Sequence, residues 1–144
     1  MSNPLKDMEK PDVIFCIGTN MTECHPVAAT RLKKALNNGA KMIVADPRHI
    51  GLMDISDINL PLRVGSDAAL LLAMAHVIKR EGLVDERFTH ARTAEAEAFL
   101  DHIEEFTPEW AAEITELSPD LIEEAALLYG QADRGAIYYT LGIT

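Results

Sequence analysis

Two short, mainly apolar stretches, DVIFCIG (Asp12–Gly18) and AKMIVAD (Ala40–Asp46), constrain this chain more than any other feature. Short continuous runs rich in β-formers read as strands buried on both faces, as in parallel sheets. The segment between them supplies a crossover helix. Pro26 suits the first helical turn, where its missing N–H is no loss. Ala28, Leu32, Ala35 and Leu36 fall on one helical face, and Asn37-Asn38-Gly39 provides a stop. A right-handed strand–helix–strand unit is therefore predicted.

The rest of the chain continues the alternation. DINLPLRV (Asp57–Val64) reads as a weaker third strand, which Pro61 moves toward a sheet edge or a bulge. Ser66 is expected to cap the next helix, with Asp67 favouring its first turn. That helix, DAALLLAMAHVIKREG, is apolar almost all round, so deep burial is expected, with a stop at Gly82. Residues 85–92 and 93–105 are predicted as short helices. Thr107-Pro108-Glu109 and Ser118-Pro119-Asp120 each combine a hydroxyl cap, a proline and an acid; the second opens a helix to about Gln131. GAIYYTLGI (Gly135–Ile143) is a last strand-like run. The expected class is α/β: a Rossmann-like, three-layer domain with a mainly parallel sheet and a helical C-terminal half. Residues 1–10 are polar and expected to fray, leaving 11–144 as one α/β domain. The run ending at Thr144 directly follows an apolar strand, as expected of a fragment of a larger multidomain subunit.

Composition narrows the function. A net charge of −10 argues against a nucleic-acid surface, which needs clustered Lys and Arg. The stretch from Arg31 to Arg48 is nevertheless basic, with Asp46 its single acid, and suits a small anionic ligand. No apolar run approaches bilayer-spanning length. Two cysteines make no disulfide framework, so a cytoplasmic setting is the default.

Three strand-to-helix junctions are candidate sites, because ligands in open α/β sheets bind beyond the carboxyl ends of strands. The first is GTNMTE. Gly18 permits close backbone approach, the following helix start presents N–H groups, and Thr19, Asn20 and Thr22 add neutral donors. A polar turn that binds nothing is the alternative. It is neither a full G-x-G-x-x-G nor a P-loop. The second is Asp46-Pro47-Arg48. An acid here accepts ribose hydroxyls in nucleotide-binding folds, usually ~20 residues after the glycines; here it comes 28 positions after Gly18. Arg48 offers pairing with a phosphate or stacking on a base, and ordinary turn chemistry is the competing reading. The third is VGSDAA, where the Asp67 carboxylate matches the donor pair of a guanine edge but simple capping explains the residues as well. Cys16 reads as a small core hydrophobe. Cys24 and His25, at a helix start, are a weak thiol candidate. His76 reads as a satisfied core residue. No metal-ligand spacing and no catalytic triad are visible.

Taken in order, DVIFCIGTNMTECHPV, GAKMIVADPR, DINLPLRVGSDAALLLAMAHVIKREGLVDERF, TPEWAAEIT and GAIYYTLGIT resemble the molybdopterin oxidoreductases, most of all the catalytic alpha subunit of formate dehydrogenases. The resemblance runs from about Met8 to Thr144. It implies a central α/β domain that grips one of two molybdopterin guanine dinucleotides around molybdenum or tungsten. Gly18, Thr19, Asn20, Met21, Thr22 and Glu23 would then line the nucleotide. Asp46, Pro47 and Arg48 would meet its guanosine part, Gly65, Ser66 and Asp67 would complete that pocket, and Leu141 would stand near the pterin. The parent would oxidise formate to carbon dioxide and pass electrons through an iron–sulfur cluster to electron-transfer subunits, in the cytoplasm or periplasm. The family's cluster cysteines, metal-ligating residue and catalytic arginine match nothing here. The chain alone is thus expected to be inactive, to bind no full cofactor, and to self-associate through faces its parent covers. A free-standing, non-enzymatic scaffold or nucleotide-binding module is the alternative. A nicotinamide-dinucleotide domain is a weaker one.

Overall fold

A computed structural model describes residues 4–143. Its four strands, β1 (Val13–Ile17), β2 (Lys41–Ala45), β3 (Ile58–Leu60) and β4 (Gly135–Tyr139), form one parallel sheet in the order β3-β2-β1-β4. The class is α/β, with seven α-helices among the described residues. The chain divides into two compact units, one of Met1–Pro61 with Ala132–Thr144 and one of Leu62–Gln131, where the sequence pattern predicts a single domain from residue 11 onward.

In the first unit the pattern works as the apolar runs predict. All five residues of β1 are buried, as are four of the five in β2. After β1 comes the short helix α1 (Met21–Cys24), and then α2 (Pro26–Asn37). Ala29, Leu32 and Ala35 of α2 share a core with Ile14, Cys16, Met42 and Val44. Burying a side chain of leucine or isoleucine size contributes about 1.5–3 kcal/mol, so this seam is a main support of the unit. Pro61 ends β3 after three residues and leaves it on the sheet edge, as its missing N–H requires. The last apolar run is strand only to Tyr139 and then turns.

The lead-in segment differs from the frayed one expected. Leu5–Glu9 is a 3-10 turn whose Met8 is buried in the core. Glu9 pairs with Arg31 and, at 2.6 Å, with Lys34, which hold its carboxyl below the usual range. Met1, Leu5 and Met8 are too few in a polar decapeptide to set a periodicity, so the contact of Met8 is not readable locally.

The second unit is helical: α3 (Asp67–Arg80), α4 (Glu86–Arg92), α5 (Ala96–His102), α6 (Pro108–Thr115) and α7 (Pro119–Gly130). Its core joins Leu70, Ala73, Met74 and Val77 of α3 with Ala111 of α6 and Ile122, Ala125 and Ala126 of α7. Thr107 and Ser118 cap α6 and α7 by accepting from Trp110 N and Leu121 N, each at 3.3 Å. Caps of this kind contribute about 1 kcal/mol each. His76 is half-buried and bonded through Nδ1 to the Ile103 carbonyl at 3.0 Å. Ser66 departs from expectation. It precedes α3, but its hydroxyl donates to the Arg63 carbonyl at 2.6 Å and caps nothing. No helix among the described residues is long and apolar enough to cross a membrane.

Candidate functional site

Register sets the site. Ile17 pairs with Ala45 on one side and Tyr139 on the other, and Ala45 with Leu60, so the strands end in one row. The residues just beyond, Gly18, Asp46 and Thr140, form a rim at the carboxyl end of the sheet.

Gly18 turns the chain with φ +58°, in the left-handed region that favours glycine. Its N–H still donates to the Ala45 carbonyl at 3.0 Å. Its own carbonyl accepts twice, from Thr140 Oγ1 at 2.9 Å and from Gly142 N at 3.2 Å. The approach leaves no room for side chains on either partner. A Cβ at Gly18 would lie 2.8 Å from the Gly142 carbonyl carbon, and one at Gly142 would lie 2.5 Å from the Gly18 oxygen.

Thr19 follows, only 2% exposed, and its Oγ1 has no hydrogen-bond partner. Leaving a buried hydroxyl unpaired costs about 1–3 kcal/mol. Asn20 sits at the start of α1 without capping it; its side-chain oxygen accepts from Thr22 Oγ1 at 2.9 Å instead. Met21 is a core residue. Glu23 and Cys24 are not buried: Cys24 is exposed and Glu23 likewise.

At the end of β2, Asp46 is 1% exposed. Its carboxylate accepts from Arg48 N at 2.9 Å, Arg48 Nε at 3.1 Å and Arg48 Nη2 at 3.3 Å. The acid that the sequence suggests as a ribose acceptor is thus already engaged by its neighbour. Arg48 is 68% exposed in its side chain, and Asp46, with a further contribution from Glu23, raises its pKa above the usual arginine value. Pro47 is exposed between the pair.

Leu141 stands 91% exposed at the turn between Thr140 and Gly142. The first unit therefore gathers Gly18 to Glu23, Asp46 to Arg48 and Leu141. Gly65, Ser66 and Asp67 belong to the second unit. There Gly65 has φ +83° and nothing within 4 Å of where a Cβ would stand, Ser66 is buried, and Asp67 opens α3. Thr140 and Gly142 are the rim residues that sequence reasoning misses. Only the glycine in TLGI hints at them, and a lone glycine does not name its contact.

Both cysteines are free; Cys16 is buried, and burial pushes its thiol up to about 12. Among the described residues no group of three His, Cys, Asp or Glu side chains is placed to hold a metal ion.

A family model described as molybdopterin oxidoreductase matches residues 1–143. The F420-dependent formate dehydrogenase 1 subunit alpha of Methanococcus maripaludis is 42% identical over 144 residues, covering all of this chain and 21% of that protein. A nitrate reductase of Symbiobacterium thermophilum is 41% identical over 140 residues, covering 90% of this chain and 19% of that one. Among solved structures, acetylene hydratase from Pelobacter acetylenicus superposes with a TM-score of 0.86 at 30% identity, over 96% of this chain and 20% of the hydratase. The chain thus spans about a fifth of the length of the curated relatives it matches.

Proposed function

The chain belongs to the molybdopterin oxidoreductase family, and from that premise we propose that its carboxyl-end rim holds the guanosine diphosphate end of a molybdopterin guanine dinucleotide. The observation that carries the reading is the Thr19 hydroxyl: buried, without a partner, and placed at the end of the central strand. A neighbouring ligand oxygen is the partner it lacks. The comparisons support a cofactor role over a substrate role. Relatives named for formate, nitrate and acetylene share this one segment, so its common task is not choosing among substrates.

The donor set fits such a group. Backbone N–H groups after Gly18 and the start of α1 offer neutral donors to a diphosphate. Arg48 is the rim's cation, and pairing with Asp46 orients its guanidinium while leaving donors free. Asp46 and Pro47 would lie against the guanosine. Leu141 would stand toward the pterin. When bound, the pterin-held molybdenum or tungsten supplies two-electron redox chemistry. This chain's residues bind, orient and shield the nucleotide end. In the parent polypeptide, formate oxidation to carbon dioxide is the reading favoured by the alpha-subunit relative. Nitrate reduction is the second, favoured by the equally similar nitrate reductase. Electron-transfer subunits, an iron–sulfur cluster and the remaining domains belong to that parent.

An open rim covers only one side of a ligand, whereas small-molecule sites bury most of theirs. Affinity for GDP should therefore be roughly millimolar. Titrating the isotope-labelled chain with GDP is expected to shift the amides of Gly18, Thr19, Asn20 and Arg48, but not Asp12 or Arg134 at the opposite strand ends. Absence of those shifts, or equal shifts with ADP, would overturn the guanosine assignment.

A further inference from the structure

The rim contains a device that the nucleotide reading does not use. Gly18 O accepts from both Thr140 Oγ1 and Gly142 N, and the two glycines exclude any side chain between them. A trans peptide is planar, so a carbonyl and the N–H of the next residue point in opposite directions. Fixing the Gly18 carbonyl toward the Thr140–Gly142 turn therefore aims the Thr19 N–H away from it. That N–H has no backbone acceptor among the described residues. Thr19 also carries the buried hydroxyl without a partner.

We propose that the Thr140–Gly142 turn is a positioning clamp for the nucleotide loop. It holds the Gly18–Thr19 peptide plane so that the Thr19 N–H presents as an anion donor before any ligand arrives. Thr140 and Gly142 act through Gly18 and touch no ligand themselves. Pre-setting one peptide plane spares the loop the cost of ordering it on binding. The same turn carries Leu141, so the loop after β1 and the Leu141 position move as one piece. The clamp rests on the nucleotide reading for its purpose and on the two hydrogen bonds for its existence.

The test separates these. Thr140→Val keeps the side chain's shape and removes the hydroxyl donor; Thr140→Ser restores the donor. In the chain without ligand, the valine variant is expected to move the Gly18 carbonyl 13C and the Thr19 amide 15N resonances, and the serine variant to return them. With GDP as the probe, valine is expected to weaken binding about 3- to 10-fold, the range for one neutral hydrogen bond, and serine to recover it. Unmoved Gly18 and Thr19 resonances in the valine variant overturn the clamp, whatever GDP does. Moved resonances with unchanged GDP affinity overturn its positioning role. If the unmodified chain shows no GDP response while the resonances move, the nucleotide reading fails and takes the positioning role with it.

Discussion

Two glycines with positive φ each stand shortly before a helix in this chain, and they are built differently. Gly18, at φ +58°, is packed against the backbone of Gly142, and its carbonyl is bonded twice. Gly65, at φ +83°, has open space where a side chain would go. In sequence the two look alike, a strand-like run followed by Gly and then a helix. The first is glycine because of its backbone angle and a neighbour's backbone; the second is glycine because of its angle alone. The contrast extends to the polar groups. At the first turn Asn20 and Thr22 bond one another, and the Thr19 hydroxyl is buried without a partner. At the second, Ser66 turns its hydroxyl back to Arg63 and leaves the helix start to Asp67.

The sharpest way to break this comparison is substitution at both glycines. Gly18→Ala combines left-handed strain with a clash against backbone. The expected loss is about 2–5 kcal/mol, read by hydrogen exchange of the Phe15 and Ile17 amides under urea. A loss under about 1 kcal/mol would mean that the turn relaxes freely and the interlock with Gly142 is not rigid. Next in size is Arg48→Ala, which strips the guanidinium from the buried Asp46 carboxylate. Because Arg48 is itself largely exposed, the expected loss is smaller than that of Gly18→Ala on the same measurement. No change would show that the rim's polar groups are independent of one another. Gly65→Ala should cost least, about 1 kcal/mol from strain alone. Trp110, the chain's single tryptophan, lies in that unit and reports its unfolding by fluorescence. A loss matching that of Gly18→Ala would erase the distinction between the two turns.

What is legible in the sequence is what local patterns encode. Val13–Ile17 and residues 42–45 are continuous apolar runs, and a strand buried on both faces uses such a run. Thr107 and Ser118 each stand directly before a proline and accept from an N–H three residues on, so their caps are readable in place. Gly18 and Asp46 are identifiable as strand-end residues because the strands themselves are. What is not legible depends on distant partners. Thr140 reaches Gly18 across 122 residues. Met8 finds its core through the fold rather than through any period. Ser66 has the right position for a cap, but a competing carbonyl at Arg63 takes its hydroxyl, and composition cannot rank those two partners. Asp46 illustrates a third case: its place follows from the strand, but its pairing with Arg48 is a side-chain choice that the spacing allows without requiring.

The sheet's order has a consequence for how the chain is made. β1 is bonded by β2 on one side and β4 on the other, and Arg134, just before β4, pairs with Asp12 from 122 residues away. At ribosomal speeds of about 5–20 residues per second, that second partner emerges roughly 6–24 s after the first strand. In the interval the contiguous helical unit, Leu62–Gln131, is wholly synthesised. Synthesis order therefore implies that the helices mature first and that the rim, whose last pieces are Thr140 and Gly142, is completed last. Ribosome-arrested chains in which Gly135 has not yet emerged should remain open to protease at β1, and chains in which Gly142 has emerged should not.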